Sequence, residues 1–354
     1  MNTTVSFPGL GIYEISFSRV AFSLFGKDIY WYGVIIMLGV IAAVLHAYIR
    51  SKREGIKVDD LLDLTIYIVL FGVLGARLYY VLTTLNTHHY DSFVDVIAIW
   101  DGGLAIYGGI IAGGLALVVV SLIKKINVFR VLDMVGPGVM LAQAIGRWGN
   151  FANGEAFGYE VAESSPLYFL RMGVMSDFAG NQMKYYHPTF LYESLWNILG
   201  FVIITVLYKK KKFNGQNALM YLAWYGFGRM FIEGLRTDSL YVGSFRISQV
   251  VGAVCFAVAG GLLVAGLLLK GKGKLDGLFG GLLIAPPAPL TVEGETKIET
   301  DEGDAYENVF GGVSEEESTP DEDTPGDALK EDPDEKTSIP DEVTDNQSQE
   351  SEES

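Results

Sequence analysis

Apolar runs of about 20 residues, each long enough as a helix to cross roughly 30 Å of hydrocarbon, recur near 31–49, 62–83, 103–123, 131–150, 189–208, 217–235 and 248–269 of this chain. The repetition predicts an all-α polytopic membrane protein of about seven transmembrane helices. The third and fourth runs carry many glycines and internal polar groups, so hydropathy alone delimits them least well. Basic residues at their ends, Lys124, Lys125 and Arg130, support them.

Half of the residues are apolar, yet the formal net charge is -16. The two properties are separated along the chain. From Glu293 onward there are 24 acidic residues against Lys297, Lys330 and Lys336, whereas positions 1–292 hold 23 Lys and Arg against 18 acids. Such an acidic segment, poor in large apolar residues, cannot bury enough surface to offset the entropy of ordering it. The expected organisation is a membrane domain over 1–275, a proline-containing linker over 276–292 with Pro286, Pro287 and Pro289, and a disordered acidic tail over 293–354. The one cysteine, Cys255, lies in an apolar run and reads as a packing residue, which leaves no disulfide framework and no thiolate metal site. No basic patch and short apolar stretch with a cleavage site opens the chain, so no removable signal peptide is expected.

Charge sets the orientation. With the N-terminus outside, the inner segments hold 14 Lys and Arg (Arg50, Lys52, Arg53, Lys57; Lys124, Lys125, Arg130; Lys209 to Lys212; Lys270, Lys272, Lys274). The outer segments hold Arg19, Lys27, Arg171, Lys184, Arg236 and Arg246. The positive-inside rule therefore places the N-terminus outside and the C-terminus in the cytoplasm. Residues 12–30 alternate loosely and read as a short strand pair or an interfacial segment, and the polar, aromatic stretch 151–188 reads as a small outer cap.

Arg77, Arg147 and Arg229 fall within or at the ends of predicted spans, where a charged side chain costs at least about 2.5–3.5 kcal/mol. Snorkelling or a structural ion pair explains one such arginine as readily as function does; three call for a shared purpose. In the sixth run, steps of four put Tyr225, Arg229 and Glu233 on one helical face, and Arg236 continues the stripe. That line reads as a polar cavity opening outward, with an Arg229–Glu233 ion pair as the structural alternative. The fourth run ends in Gly146-Arg147-Trp148-Gly149-Asn150-Phe151-Ala152-Asn153-Gly154-Glu155. Glycines permit close approach and arginine grips phosphate through two parallel hydrogen bonds, so this stretch suits an anionic headgroup. Its spacing is that of neither a Walker loop nor a dinucleotide fingerprint. Tyr107, before Gly108-Gly109 in a glycine-rich run that reads as a close-packing helix, is placed to point into the same cavity.

The stretch from Gly146 to Glu155 resembles the signature of the prolipoprotein diacylglyceryl transferases. Further elements resemble that family in the same order: Trp31-Tyr32-Gly33, Gly75-Ala76-Arg77, Gly102-Gly103 with Tyr107-Gly108-Gly109, His187-Pro188-Thr189 with Tyr192-Glu193, and Tyr225-Gly226-x-x-Arg229. The likeness spans about residues 10–270. It implies a multi-pass enzyme of the bacterial plasma membrane whose site faces outward. It also implies a reaction: the lipobox cysteine of a prolipoprotein signal peptide becomes thioether-linked to diacylglycerol from phosphatidylglycerol, and glycerol phosphate is released. The partners implied are that lipid, those signal peptides and the bilayer, with no cofactor, metal or nucleic acid. Carried over residue by residue, the resemblance makes Arg147, Arg229, Tyr107 and Tyr32 candidate catalytic residues. It makes Arg147, Asn150, Asn153, Gly154, Glu155, Tyr225, Glu233, Arg77 and His187 candidate substrate-binding residues.

Carbon–oxygen cleavage builds charge on a departing phosphate, which preplaced cations stabilise, and the thiol must become thiolate. Many family members carry histidine, a favoured base, where this chain has Tyr107. A phenol near pKa 10 is a poor base at neutral pH, so Tyr107 is assigned to binding or proton relay. His187, Glu155 and the field of the arginines remain open as agents of deprotonation. A lipid transporter or flippase with an outward anionic site is the competing class, since intramembrane arginines and glycine-rich helices also mark substrate pathways.

Overall fold

The computed structural model describes residues 2–270. The expected linker and acidic tail lie outside the described residues. The chain begins with four strands, β1 (Asn2–Phe7), β2 (Ile12–Ser18), β3 (Val20–Leu24) and β4 (Lys27–Tyr30), before helix α1 (Trp31–Glu54). Helices α2 (Val58–Thr84), the short α3 (Phe93–Ile97), α4 (Ile106–Ile123) and α5 (Val128–Asn153) follow. Then come β5 (Met172–Ser176), β6 (Gly180–Tyr186), α6 (Thr189–Leu207), α7 (Gln216–Ile232), the strand pair β7 (Tyr241–Val242) and β8 (Phe245–Arg246), and α8 (Ile247–Lys270).

Among the described residues, six helices are long and apolar enough to cross a membrane: α1, α2, α4, α5, α6 with its following turn, and α8. The seventh expected span is α7, which has only 17 residues in regular α-helix and closes in a single 3-10 turn at Glu233–Leu235. Large apolar side chains such as Ile66, Leu78, Ile110, Leu115, Val206 and Leu268 point away from the bundle. An outward apolar face is what a lipid-facing helix requires.

Helix ends follow local chemistry. Asn127 caps α5 by accepting from the backbone N–H groups of Phe129 and Arg130 at 2.9 and 3.2 Å. The same helix runs past the predicted limit at 150 and stops at Gly154, whose φ of +64° is the left-handed conformation that ends helices. Gly75 on α2 and Gly108 on α4 bring two backbones together, since a Cβ added to Gly75 would lie 2.7 Å from the Gly108 carbonyl oxygen. Helices α6 and α7 are tied by Trp196 and Trp224, stacked at 4.3 Å, each indole N–H donating to the other residue's carbonyl at 3.0 and 2.9 Å.

Residues 12–30 form β2, β3 and β4, and part of the 151–188 stretch forms β5 and β6. The sequence reading did not reach β1, which sits inside a four-stranded antiparallel sheet of order β2-β1-β5-β6. Its partners β2 and β5 close over loops of very different length, and no local turn signal marks the long one. The sheet grips the end of α5: Thr3 donates to the Ala152 carbonyl at 3.4 Å and Ser176 to the Gly154 carbonyl at 2.8 Å. Beneath it Phe157, Met172, Val174, Tyr186 and Phe190 form a buried apolar cluster.

The opposite end of the bundle closes on polar groups. Lys211, after α6, pairs with Glu54 of α1 at 2.6 Å and with Asp133 of α5 at 3.2 Å. Tyr208 donates to Glu54 at 2.6 Å, and Asp133 accepts from the backbone of Gly215 and Ala218 at 2.7 and 3.0 Å.

Candidate active site

The C-terminal ends of α5 and α7 meet the N-terminal turn of α6 at the end of the bundle that carries the sheet. Each brings part of one ionic cluster. Glu193 of α6, 4% exposed, sits at its centre. Arg147 Nε pairs with Glu193 Oε2, and Arg229 Nη1 donates to Glu193 Oε1. Arg229 Nη2 also pairs with Glu233 Oε2 at 2.6 Å, one helical turn further on. Arg236 lies 3.8 Å from Glu193 and 4.0 Å from Glu233, and makes a bidentate pair with Asp238 at 2.9 and 2.7 Å. Burial works against both charges of that pair, yet the hydrogen bonds between them prevail, holding the Asp238 carboxyl below its usual range and the Arg236 guanidinium above its own.

A second layer runs along α5. Arg147 donates to Asn150 Oδ1 at 3.2 Å, and the amides of Asn150 and Asn153 both donate to Glu155 Oε1 at 3.2 Å. The helical stretch therefore orders the guanidinium through an amide and a carboxylate. Gly154 turns the chain, and a Cβ there would meet Thr3 Cγ2 at 2.7 Å as well as strain the backbone. The Tyr32 ring packs on Gly149, where a Cβ would lie 3.0 Å from its Cδ2. Tyr225, one turn before Arg229, stacks on Tyr221 at 6.1 Å.

Three candidate residues lie outside this cluster. Arg77 is buried and fully engaged in carbonyl contacts: Val96 at 2.8 Å, Asp95 at 2.6 Å, Gly102 at 2.6 Å and Gly103 at 3.1 Å. It gathers the loop between α2 and α4 around a cavity of roughly 380 Å³ that Tyr80, His88 and Tyr90 also line. Tyr107 shares a hydrogen bond of 3.2 Å with Ser248 of α8, and its ring lies 6.5 Å from that of Tyr79. His187 Nδ1 is 3.2 Å from the Tyr192 hydroxyl, and burial holds its imidazole below the usual histidine value. Among the described residues no group of three or more His, Cys, Asp or Glu is placed to hold a metal ion.

Glu193 is the residue that sequence reasoning passed over as a site group. It is acidic inside a predicted span, and Arg147 and Arg229 in other spans needed partners; that imbalance was the available signal.

Comparison with known proteins gives a consistent picture. The family model for prolipoprotein diacylglyceryl transferase matches residues 19–265. The phosphatidylglycerol–prolipoprotein diacylglyceryl transferase of Listeria monocytogenes serotype 4b is 41% identical over 249 residues, covering 69% of this chain and 88% of the relative. The protein of the same name from Enterococcus faecalis is 43% identical, covering 68% and 88%. That from Streptococcus agalactiae serotype Ia is 45% identical over 237 residues, covering 65% and 88%.

Proposed function

The chain belongs to the prolipoprotein diacylglyceryl transferase family, and from that premise we propose that its buried arginine cluster is the phosphate site of the transfer reaction. The enzyme moves the diacylglyceryl group of phosphatidylglycerol to the lipobox cysteine of a prolipoprotein, an early step in lipoprotein maturation at the bacterial plasma membrane. A thioether forms and glycerol phosphate is released. Membership in this family closes the transporter alternative raised by the intramembrane arginines.

One observation carries the phosphate assignment. Arg147 and Arg229, from different helices, each address a different oxygen of the same Glu193 carboxylate. Two guanidiniums already spaced for a two-oxygen anion suit the two non-bridging oxygens of a phosphodiester. As the carbon–oxygen bond breaks, charge grows on that phosphate inside a site of low dielectric, where preplaced cations contribute most. Asn150, Asn153 and Glu155 orient Arg147, and Glu233 orients Arg229. Tyr32 packs on the helix that bears Arg147, and Tyr225 lies one turn before Arg229 on the other.

We infer the membrane orientation from charge. The basic residues Arg50, Arg53, Arg130 and Lys209 to Lys212 gather at the end opposite the sheet, which supports seven spans with that end in the cytoplasm and the site facing outward.

Incubating the purified protein with phosphatidylglycerol and a lipobox peptide tests the reading. Mass spectrometry is expected to find a diacylglyceryl adduct on the peptide cysteine and stoichiometric glycerol phosphate. An unmodified peptide in the presence of bound lipid would overturn it.

A further inference from the structure

With Arg147 and Arg229 assigned to phosphate, one step of the transfer still lacks a residue. The lipobox thiol must give up its proton for sulfur to attack carbon. Of the side chains that sequence left open, His187 has Nδ1 against the Tyr192 hydroxyl and Glu155 holds the amides of Asn150 and Asn153, while Tyr107, assigned to binding or relay, pairs with Ser248 of α8. Glu233 is 2% exposed, bound to Arg229, and its backbone carbonyl accepts from Arg246.

Glu193 differs from all of these because both arginines assigned to phosphate address it directly, with Arg236 more distant. A phosphodiester arriving there competes with Glu193 for the same guanidinium donors. Once the lipid holds them, Glu193 is a buried carboxylate left only with Arg236 at 3.8 Å, a guanidinium already paired with Asp238, and set beside another anion. An ionised carboxylate is poorly tolerated in such surroundings, and a proton relieves the conflict. The next group to arrive, the thiol, carries one.

We propose, on the basis of that phosphate assignment, that Glu193 is the proton acceptor for the substrate thiol, armed by phosphate binding. The S–H bond breaks, its electron pair stays on sulfur, and the proton passes to a Glu193 oxygen. Sulfur then bonds to the glyceryl carbon while the carbon–oxygen bond breaks and its pair leaves on the phosphate oxygen. The released phosphate monoester, whose second ionisation lies near about pH 6, takes the proton from Glu193 and departs as the monoanion. One negative charge enters with the lipid and one leaves with glycerol phosphate. Glu193 is returned to Arg147 and Arg229.

A selenol ionises at neutral pH without a base, which separates proton removal from every other role of Glu193. The full-length protein, in micelles containing phosphatidylglycerol, is given two lipobox peptides that differ only in cysteine or selenocysteine, with adduct formation followed by mass spectrometry. The unaltered protein is expected to modify both; failure on the cysteine peptide would count against the transferase reading itself rather than against Glu193. Glu193→Gln is expected to slow the cysteine peptide by about 100-fold or more, while the selenocysteine peptide stays within roughly tenfold of the unaltered protein. Equal slowing of both peptides would show that Glu193 only holds the arginines, and the proposal would fall. Should Glu193→Gln no longer retain labelled lipid, the two peptides are compared on Glu193→Asp. Its retracted carboxylate is expected to slow the cysteine peptide more than the selenocysteine one, and equal falls overturn the proposal there too.

Discussion

At the scale of single residues, planarity counts as much as charge at positions 147 and 229. Each guanidinium meets one carboxylate oxygen of Glu193 and keeps further N–H groups for other partners, Asn150 for Arg147 and Glu233 for Arg229. Arg147→Ala and Arg229→Ala are expected to lower transfer by at least about 100-fold, the range seen when one preplaced donor to a developing oxyanion is removed. Arg→Lys at either position is expected to recover little, because an ammonium cannot offer two parallel donors. Adduct formation at saturating lipid, with lipid retention measured alongside, checks both; near-normal turnover in the alanine variants would refute the phosphate site. Tyr107→Phe removes only a hydroxyl shared with Ser248. A reduced but measurable rate is expected from it, and complete loss with recovery in Tyr107→His would make that position the proton acceptor instead of Glu193. Much of this cluster was legible in the chain: the run from Arg147 to Glu155 is contiguous, and Tyr225, Arg229 and Glu233 announce themselves by steps of four. Glu193 did not, because its partners come from positions 46 residues before it and 36 after it. Local periodicity carries no information about pairs that only helix packing creates.

The helices are held by two kinds of contact, glycine approaches and cross-helix polar ties, and the two fail differently. Gly75 and Gly108 let α2 and α4 meet backbone to backbone, whereas a Cβ on Gly114, on the same α4, would meet nothing within 4 Å. Gly75→Val is therefore expected to lower stability by about 1–3 kcal/mol or more through overpacking, while Gly114→Val is expected to leave the thermal midpoint in detergent nearly unchanged. Equal effects of the two would mean that the glycines act through helix propensity rather than contact. From sequence, the glycines of α4 read as a packing surface, yet which of them face α2 depends on the rotation of the helix. The small sheet shows the same gap. Strands β3 and β4 are neighbours in sequence and could be anticipated as a pair, but β1 pairs with β5 about 170 residues later, beyond the reach of any turn signal.

Over the whole molecule the two ends of the bundle have different tasks. The sheet end holds the arginine cluster; the other end is fastened by Lys211 between Glu54 and Asp133, of which Asp133 is wholly buried. Removing one member of such a buried set leaves an uncompensated charge, so Lys211→Met is expected to destabilise the fold by about 3–5 kcal/mol. Its lipid affinity below the unfolding temperature is expected to stay as it was, because the substituted group lies a bundle's length from Arg147 and Arg229. Beyond the bundle the chain continues past every such group. The family match ends at residue 265 and the last described helix ends at Lys270, so every residue assigned to lipid, thiol or fold lies before that point. The 21 excess negative charges from Glu293 onward lie in sequence beyond that family match. A chain ending after Lys274 is therefore expected to insert normally and to modify a lipobox peptide at the full-length rate and with the same KM. Loss of turnover in a truncated protein that still binds phosphatidylglycerol would assign the acidic segment a part in catalysis that nothing in the first 270 residues requires.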